Sequence, residues 1–231
     1  MNNIINRFNT IYRLIEFSLQ IENSYSSYAR NQICKYTMKL INNLELIIKG
    51  YTQGYFLMGD EFKVLNWYSS YQRTLIPLDE RFRYPKSLQR ILNQEQFSIS
   101  INKKFLEVCQ GCAERETTWI TPELIQIYYQ LHLNGFAHSF ETWQGDQLAG
   151  GILGIAIGSA FIGESMFYRI PNGSKVAMVK LVEHLRSVKF TLFDVQLQNN
   201  HLERFGSYVI NNNEYKRLLC EALNNTCFFI N

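Results

Sequence analysis

The stretch Leu148–Gln198, LAGGILGIAIGSAFIGESMFYRIPNGSKVAMVKLVEHLRSVKFTLFDVQLQ, decides the fold. It opens with two apolar runs broken at Gly158-Ser159, a pair with hairpin-turn chemistry, and so reads as two strands joined by a tight turn. Glu164 is a lone carboxylate in the second apolar run, which therefore carries a polar group inward. From Ser174 the residues Val176, Val179, Val182 and Leu185 recur at helical spacing, while Lys180, Glu183 and Arg186 fall mostly elsewhere. A strand over Phe190–Leu197 then returns roughly parallel to the earlier one, making a strand-helix-strand crossover. Ligands of such units sit beyond the carboxyl ends of the strands, where Asp194 and Gln196 lie two apart, on one face of an extended strand.

Working upstream, Ala137–Gln144 reads as a strand that turns at Gly145-Asp146 into the central stretch. Before it, Thr121 is a natural N-cap, Pro122 suits the first helical position and Gly135 suits the residue after the end, so a helix is expected over Pro122–Asn134. Trp119 sits in the polar connection ahead of this helix, as a core anchor or a stacking platform. Between Asn102 and Arg115 the residues Phe105, Val108, Cys109 and Cys112 form one helical face. Downstream, Asn213–Asn224 closes the chain as a helix. Together these elements describe an antiparallel meander continued by a parallel crossover, with helices on the sheet, which is an α+β (mixed α/β) fold.

The first fifty residues say least: helices are expected around 11–21 and 31–49, with Gly50 as a stop. Composition changes at Gly54, where short extended pieces, turn residues and dense aromatics suggest a smaller lobe. The expected division is 1–95 and 96–231. Within the first part Arg81, Arg83, Lys86 and Arg90 interleave with Phe82 and Tyr84, either a phosphate-contacting, base-stacking surface or a solvated helix face.

With 231 residues, 46% hydrophobic and 19% charged, the chain is globular rather than disordered. A net charge of only +3 means that an anionic partner must be met by a local patch. No apolar run approaches the roughly 18 residues of a membrane span, and MNNIINRFNTIYRL lacks a signal-peptide core, so the cytosol is expected. Five cysteines, an odd number without framework spacing, agree with a reducing compartment.

Catalytic motifs are sparse. CQGC has no second CxxC and lies on a buried stripe, which favours core cysteines. His132, His138, His184 and His201 form no ligand pattern, and no Ser-His-Asp or Cys-His spacing stands out. GGILGIAIG is not followed directly by a helix, so it reads as close-packed strand rather than a phosphate cradle. The helix after RIPNGSK is the better anion site, because its free N–H groups and dipole open toward the edge that carries Asp194.

Several segments in order carry a resemblance: GYFLMGDE from Gly54, WYS from Trp67, ETTWIT from Glu116, HSFETW from His138, LAGGILG from Leu148, GESMF from Gly163, SK at Ser174 and DVQLQNNHLERFG from Asp194. On these the chain resembles the leucyl/phenylalanyl-tRNA–protein transferases over about Gly54–Tyr208. The resemblance implies a GNAT-like catalytic domain with a smaller N-terminal domain. It also implies transfer of leucine or phenylalanine, with methionine as a further candidate, from aminoacyl-tRNA to the N-terminal amine of proteins beginning with Lys or Arg, which marks them for degradation. No cofactor and no metal are implied, since an aminoacyl ester is already activated, and no membrane is implied as partner.

Residue by residue, the resemblance puts Asp194 and Gln196 in the catalytic pair, with Asp194 orienting or polarising Gln196 and the amine. It puts Glu164 and Ile152 in the aminoacyl pocket. Trp119, Tyr68 and Tyr128 fall at the terminal adenosine, Tyr128 on an exposed helical turn beside Trp119. Lys86 and Arg90 fall in a basic helix near the acceptor stem. Two departures, Ser70-Tyr71-Gln72 and Leu57, stand where the family has proline, and both concern the tRNA-contacting lobe. An acetyl-coenzyme A-dependent acetyltransferase would share the fold but should show a glycine-rich turn before the crossover helix. A non-catalytic RNA-binding module would leave Glu164 and Asp194 without a purpose.

Overall fold

The computed structural model describes residues 43–230. The helix expected around 11–21, and residues 31–42 of the second, lie outside them. Helix α1 (43–52) leads into the hairpin β1 (Phe56–Gly59) and β2 (Leu65–Tyr68), then β3 (Gln72–Leu75), α2 (Lys86–Asn93) and β4 (Ser98–Ile101). Next come α3 (Phe105–Ala113), α4 (Pro122–Leu133), β5 (Ala137–Gln144), β6 (Gln147–Ile157) and β7 (Ala160–Tyr168). The chain continues through α5 (Gly173–Ser187), β8 (Leu192–Asp194), α6 (Asn200–Glu203), β9 (Tyr208–Asn211) and α7 (Asn212–Asn224).

Seven strands form one mixed sheet in the order β4-β5-β6-β7-β8-β3-β9, and β1-β2 is a separate hairpin. The run β5 to β7 is the expected antiparallel meander, and β4 adds antiparallel to β5 from across α3 and α4. Strand β8 joins β7 in parallel through α5, which is the expected crossover. Helices cover both faces. Tyr51, Val108, Cys109, Leu124 and Tyr128 pack with Leu153 and Ile155 on one side, and Val176, Val179, Val182 and Leu185 pack with Phe140, Ile152 and Phe161 on the other. The two cysteines of CQGC are free and buried, as their place on the stripe requires. Thr121 caps α4 by accepting from Leu124 N–H at 3.1 Å.

The glycines of LAGGILG behave as close-packed strand. A Cβ on Gly173 would lie 2.3 Å from the Ala149 carbonyl oxygen, and one on Gly150 would lie 2.8 Å from Ser174 N. The first turn of α5 therefore rests directly on the backbone of β6.

Two local expectations are corrected. The strand over Phe190–Leu197 shortens to Leu192–Asp194, because Gln196 adopts a left-handed φ of 57° and turns the chain out of the ladder. Gly50 does not stop the helix: α1 runs on to 52, and Gly54, at φ 87°, follows its end. Gly50 serves close approach instead, since a Cβ there would sit 2.3 Å from the Trp67 ring. At the far side of the sheet, β3 lies between β8 and β9 and pairs with both.

Candidate active site

Strands β7 and β8 pair only at Ala160↔Leu192, Phe161↔Phe193 and Ile162↔Asp194. Beyond that point β7 continues to Tyr168 while β8 has ended, so the sheet splits. A cavity of about 970 Å³ opens at the split. It lies beyond the carboxyl end of β8, where crossover sheets bind ligands. Its apolar lining includes Phe56, Ile152, Met166, Met178 and Phe193, and its polar lining includes Glu164 and Gln196, with Trp119 among the wall residues.

Glu164 is buried. Tyr128 donates its hydroxyl to Glu164 Oε2 at 2.7 Å, whereas Oε1 has no hydrogen-bond partner among the described residues. The Tyr51 hydroxyl faces the same carboxylate, near enough to favour its charge but outside full hydrogen-bond geometry among the described residues. Burial pushes the Glu164 carboxyl up to about 7, against the pull of the Tyr128 bond. Such a group takes its negative charge readily only when a cation or donor meets Oε1.

Asp194 is fully buried and does not line the cavity. Its carboxylate is held from three sides. Arg73 donates through Nε at 2.8 Å to Oδ1 and through Nη2 at 2.6 Å to Oδ2. Tyr215 donates its hydroxyl to Oδ2 at 2.8 Å, and the Gln196 backbone N–H donates to Oδ1 at 2.9 Å. Burial disfavours the Arg73 cation, yet the adjacent Asp194 charge outweighs it and leaves Arg73 more firmly protonated than an ordinary guanidinium. The guanidinium lies between the rings of Phe56 and Tyr215, 4.9 and 4.4 Å from their centroids. Its Nη1 donates to the Gly54 carbonyl at 3.0 Å.

Gln196 is the residue this scaffold presents. Its carbonyl accepts from Thr74 N–H at 3.0 Å, and its Nε2 is buried in the cavity wall without a partner. Asp194 and Gln196 are thus brought together, by a turn rather than by a shared strand face. A left-handed glutamine costs on the order of 1 kcal/mol, and the Asp194 and Thr74 bonds hold it there.

Ile152 is buried and lines the cavity with Met166, its partner across β6 and β7. Trp119 is half-buried at the wall, and its carbonyl accepts from Gly59 N–H at 2.9 Å, which ties it to the hairpin. Tyr128 does not stand exposed beside it. With Leu124 and Leu131 it forms the buried face of α4, and it acts beneath Glu164. Tyr68 does not line the cavity either: it stacks on Phe56, which does, with centroids 6.3 Å apart. Trp67 covers α1 by packing on Tyr51.

Lys86 and Arg90 are exposed on α2, and neither forms an ion pair among the described residues. The aromatics beside them are not stacking platforms. Phe82 stacks on Phe205 at 6.2 Å, and with Tyr84 it packs against the core.

Sequence reasoning missed Arg73, Tyr215 and Tyr51. Arg73 follows the polar Ser69-Ser70-Tyr71-Gln72 at the head of the short run Thr74-Leu75-Ile76, so it reads as a charge at a strand's edge. The tyrosines had no signal, because a buried hydroxyl looks like any aromatic core residue.

Fold and cavity define a class first: an α+β protein with a ligand cavity where a parallel strand pair parts, and an unpaired carboxylate oxygen and side-chain amide in its wall. Residues 75–220 match the family described as leucyl/phenylalanyl-tRNA protein transferase. A protein of that name from Gloeothece citriformis is 68% identical over 191 residues, 83% of this chain and 100% of its own length. A namesake from Nostoc punctiforme is 65% identical over 80% of this chain and 97% of its own. A more distant one from Herpetosiphon aurantiacus is 46% identical over 78% and 93%. The chain belongs to the leucyl/phenylalanyl-tRNA protein transferase family.

Proposed function

We propose that this protein is an aminoacyltransferase that moves leucine or phenylalanine from its tRNA ester to the N-terminal amine of proteins beginning with Lys or Arg, so marking them for degradation. The observation that carries this reading is the cavity holding two unpaired buried groups, Glu164 Oε1 and Gln196 Nε2. An aminoacyl ester presents one partner for each. Its α-ammonium meets Glu164, and its carbonyl oxygen, which gains negative charge during attack, meets the Gln196 amide. The apolar side chain then lies against Ile152, Met166 and Met178, and flexible methionines accept both leucine and phenylalanine.

In the reaction the acceptor nitrogen bonds to the ester carbon, the bond from that carbon to the ribose oxygen breaks, and the amine's proton ends on the released ribose hydroxyl. Amide formation from an ester runs downhill, so the protein's work is positioning and dipolar stabilisation. Asp194, lying outside the cavity, acts through Gln196 as a positioning residue. Trp119 stacks the terminal adenosine, and Lys86 and Arg90 meet backbone phosphates. The parting of β7 and β8 supports reading residues 96–231 as a GNAT-like lobe, completed by β3 and the hairpin from 1–95. Among the described residues no helix is long and apolar enough to cross a membrane, and aminoacyl-tRNA as donor puts the reaction in the cytoplasm.

The test is mass spectrometry of a peptide with N-terminal arginine, incubated with the protein and leucyl-tRNA or with acetyl-coenzyme A. A leucine-sized gain in the first tube alone is expected. Acetylation in the second with no gain in the first would overturn the donor.

A further inference from the structure

Next to the main cavity lies a smaller one of about 160 Å³, and His201 lines both. Its charged lining residues are Lys175 and Arg204, with no carboxylate among the wall residues. Neither cation forms an ion pair among the described residues. Lys175 Nζ is held at the mouth by Asn172 Oδ1, 3.1 Å away. Two helices begin at this pocket: α2 after Pro85 and α5 after Asn172, and neither has a side-chain cap. The first turn of α2 lines the pocket through Ser87 and Leu88, α5 reaches it through Asn172 and Lys175, and both dipole ends add positive potential. The Nε2 of His201 is buried without a partner. Burial, then the charges of Lys175 and Arg204, hold its pKa below the ordinary imidazole value, so it is neutral at pH 7 and free to donate one N–H.

Two unpaired cations, two uncapped helix starts and an unpaired imidazole converging on one small pocket describe a site for a compact anion rich in acceptor oxygens. We propose that this pocket holds the phosphodiester immediately 5′ of the tRNA's terminal nucleoside, with Lys175 and Arg204 as its counter-charges. The assignment rests on the transferase reading and deepens it. Two observations favour a tRNA phosphate over a free anion. The pocket shares the His201 wall with the cavity that takes the ester. The helix that borders it, α2, exposes Lys86 at its start and Arg90 one turn on, which adds to the positive surface beside the pocket.

The experiment compares two synthetic donors, 3′-O-leucyl-adenosine and its 5′-phosphate, with an arginine-initiated peptide as acceptor. Wild type should use the phosphorylated donor with a kcat/KM at least about tenfold higher, the scale of a charged hydrogen bond. The double variant Lys175→Gln, Arg204→Gln should lose that preference and use the unphosphorylated donor as wild type does; the single Lys175→Gln reads the same way should the pair unfold. Inorganic phosphate should compete with the phosphorylated donor only. A wild type without the preference, or a variant that keeps it, overturns the site. Phosphate binding that responds to the substitutions without any donor preference also overturns it, in favour of a free anion. A wild type that cannot use even leucyl-tRNA overturns the transferase reading itself, so the two failures are distinct.

Discussion

At the scale of single residues, the buried Glu164 is the group whose protonation matters most. Its pKa in the folded protein is about 7 against an ordinary 4.5, so between these pH values the native state holds the extra proton. Stability therefore falls as pH rises through this window and levels off above it. Glu164→Gln, which keeps an acceptor for Tyr128, should abolish that fall and unfold at higher denaturant above pH 7, by about 1 to 3 kcal/mol. The same variant should lose most transfer activity, because an amide cannot meet an α-ammonium with charge. Urea titrations at pH 5, 6, 7 and 8 beside initial rates check both. Trp119→Ala and Asp194→Ala should separate binding from turnover. The first should raise KM for aminoacyl-tRNA about tenfold with kcat kept, the scale of one lost base stack. The second should lower kcat far more than tRNA affinity, and interchanged effects would reverse the two assignments. Glu164 and Asp194 were legible because a charge in an apolar strand announces itself. Tyr128 was misplaced because its position on α4 was read from the neighbouring Trp119, whereas the Leu124, Tyr128, Leu131 spacing puts it on the buried face.

Among elements, the contact between β6 and α5 sets the position of the cavity. With Gly150 and Gly173 forming the contact, any side chain there must push the helix start away from the strand. Gly173→Ala should cost about 1 to 3 kcal/mol as overpacking, and should lower kcat/KM because Ser174 and Met178 line the cavity. Thermal unfolding and steady-state kinetics measure the two. The crossover itself was legible from periodicity: apolar strand runs, a turn and a helical stripe occupy neighbouring stretches. What escaped was the early end of β8, since a left-handed glutamine is imposed by tertiary bonds from Asp194 and Thr74, not by local preference.

At the scale of the whole molecule, the small net charge makes tRNA affinity depend on where the cations stand. Lys86→Gln and Arg90→Gln should each weaken binding across tRNA sequences and reduce the slope of log affinity against log salt by about 1. Filter binding between low and moderate salt checks this, and an unchanged slope would remove α2 from the tRNA path. The insertion of β3 into the sheet was not legible. Four residues carry too little pattern to name their partners, and pairing with β8 bridges well over a hundred residues of chain.

The buried knot of Arg73, Asp194 and Tyr215 has a consequence in time rather than in space. A ribosome delivers the arginine long before the aspartate and the tyrosine, so the bonds that hold Asp194 beneath the Gln196 turn are complete only once Tyr215 has followed. A chain that has reached only the end of β7 can pair its hairpin and the strands β4 to β7 and still lack a working centre. Each newborn molecule is therefore idle until Tyr215 has been made.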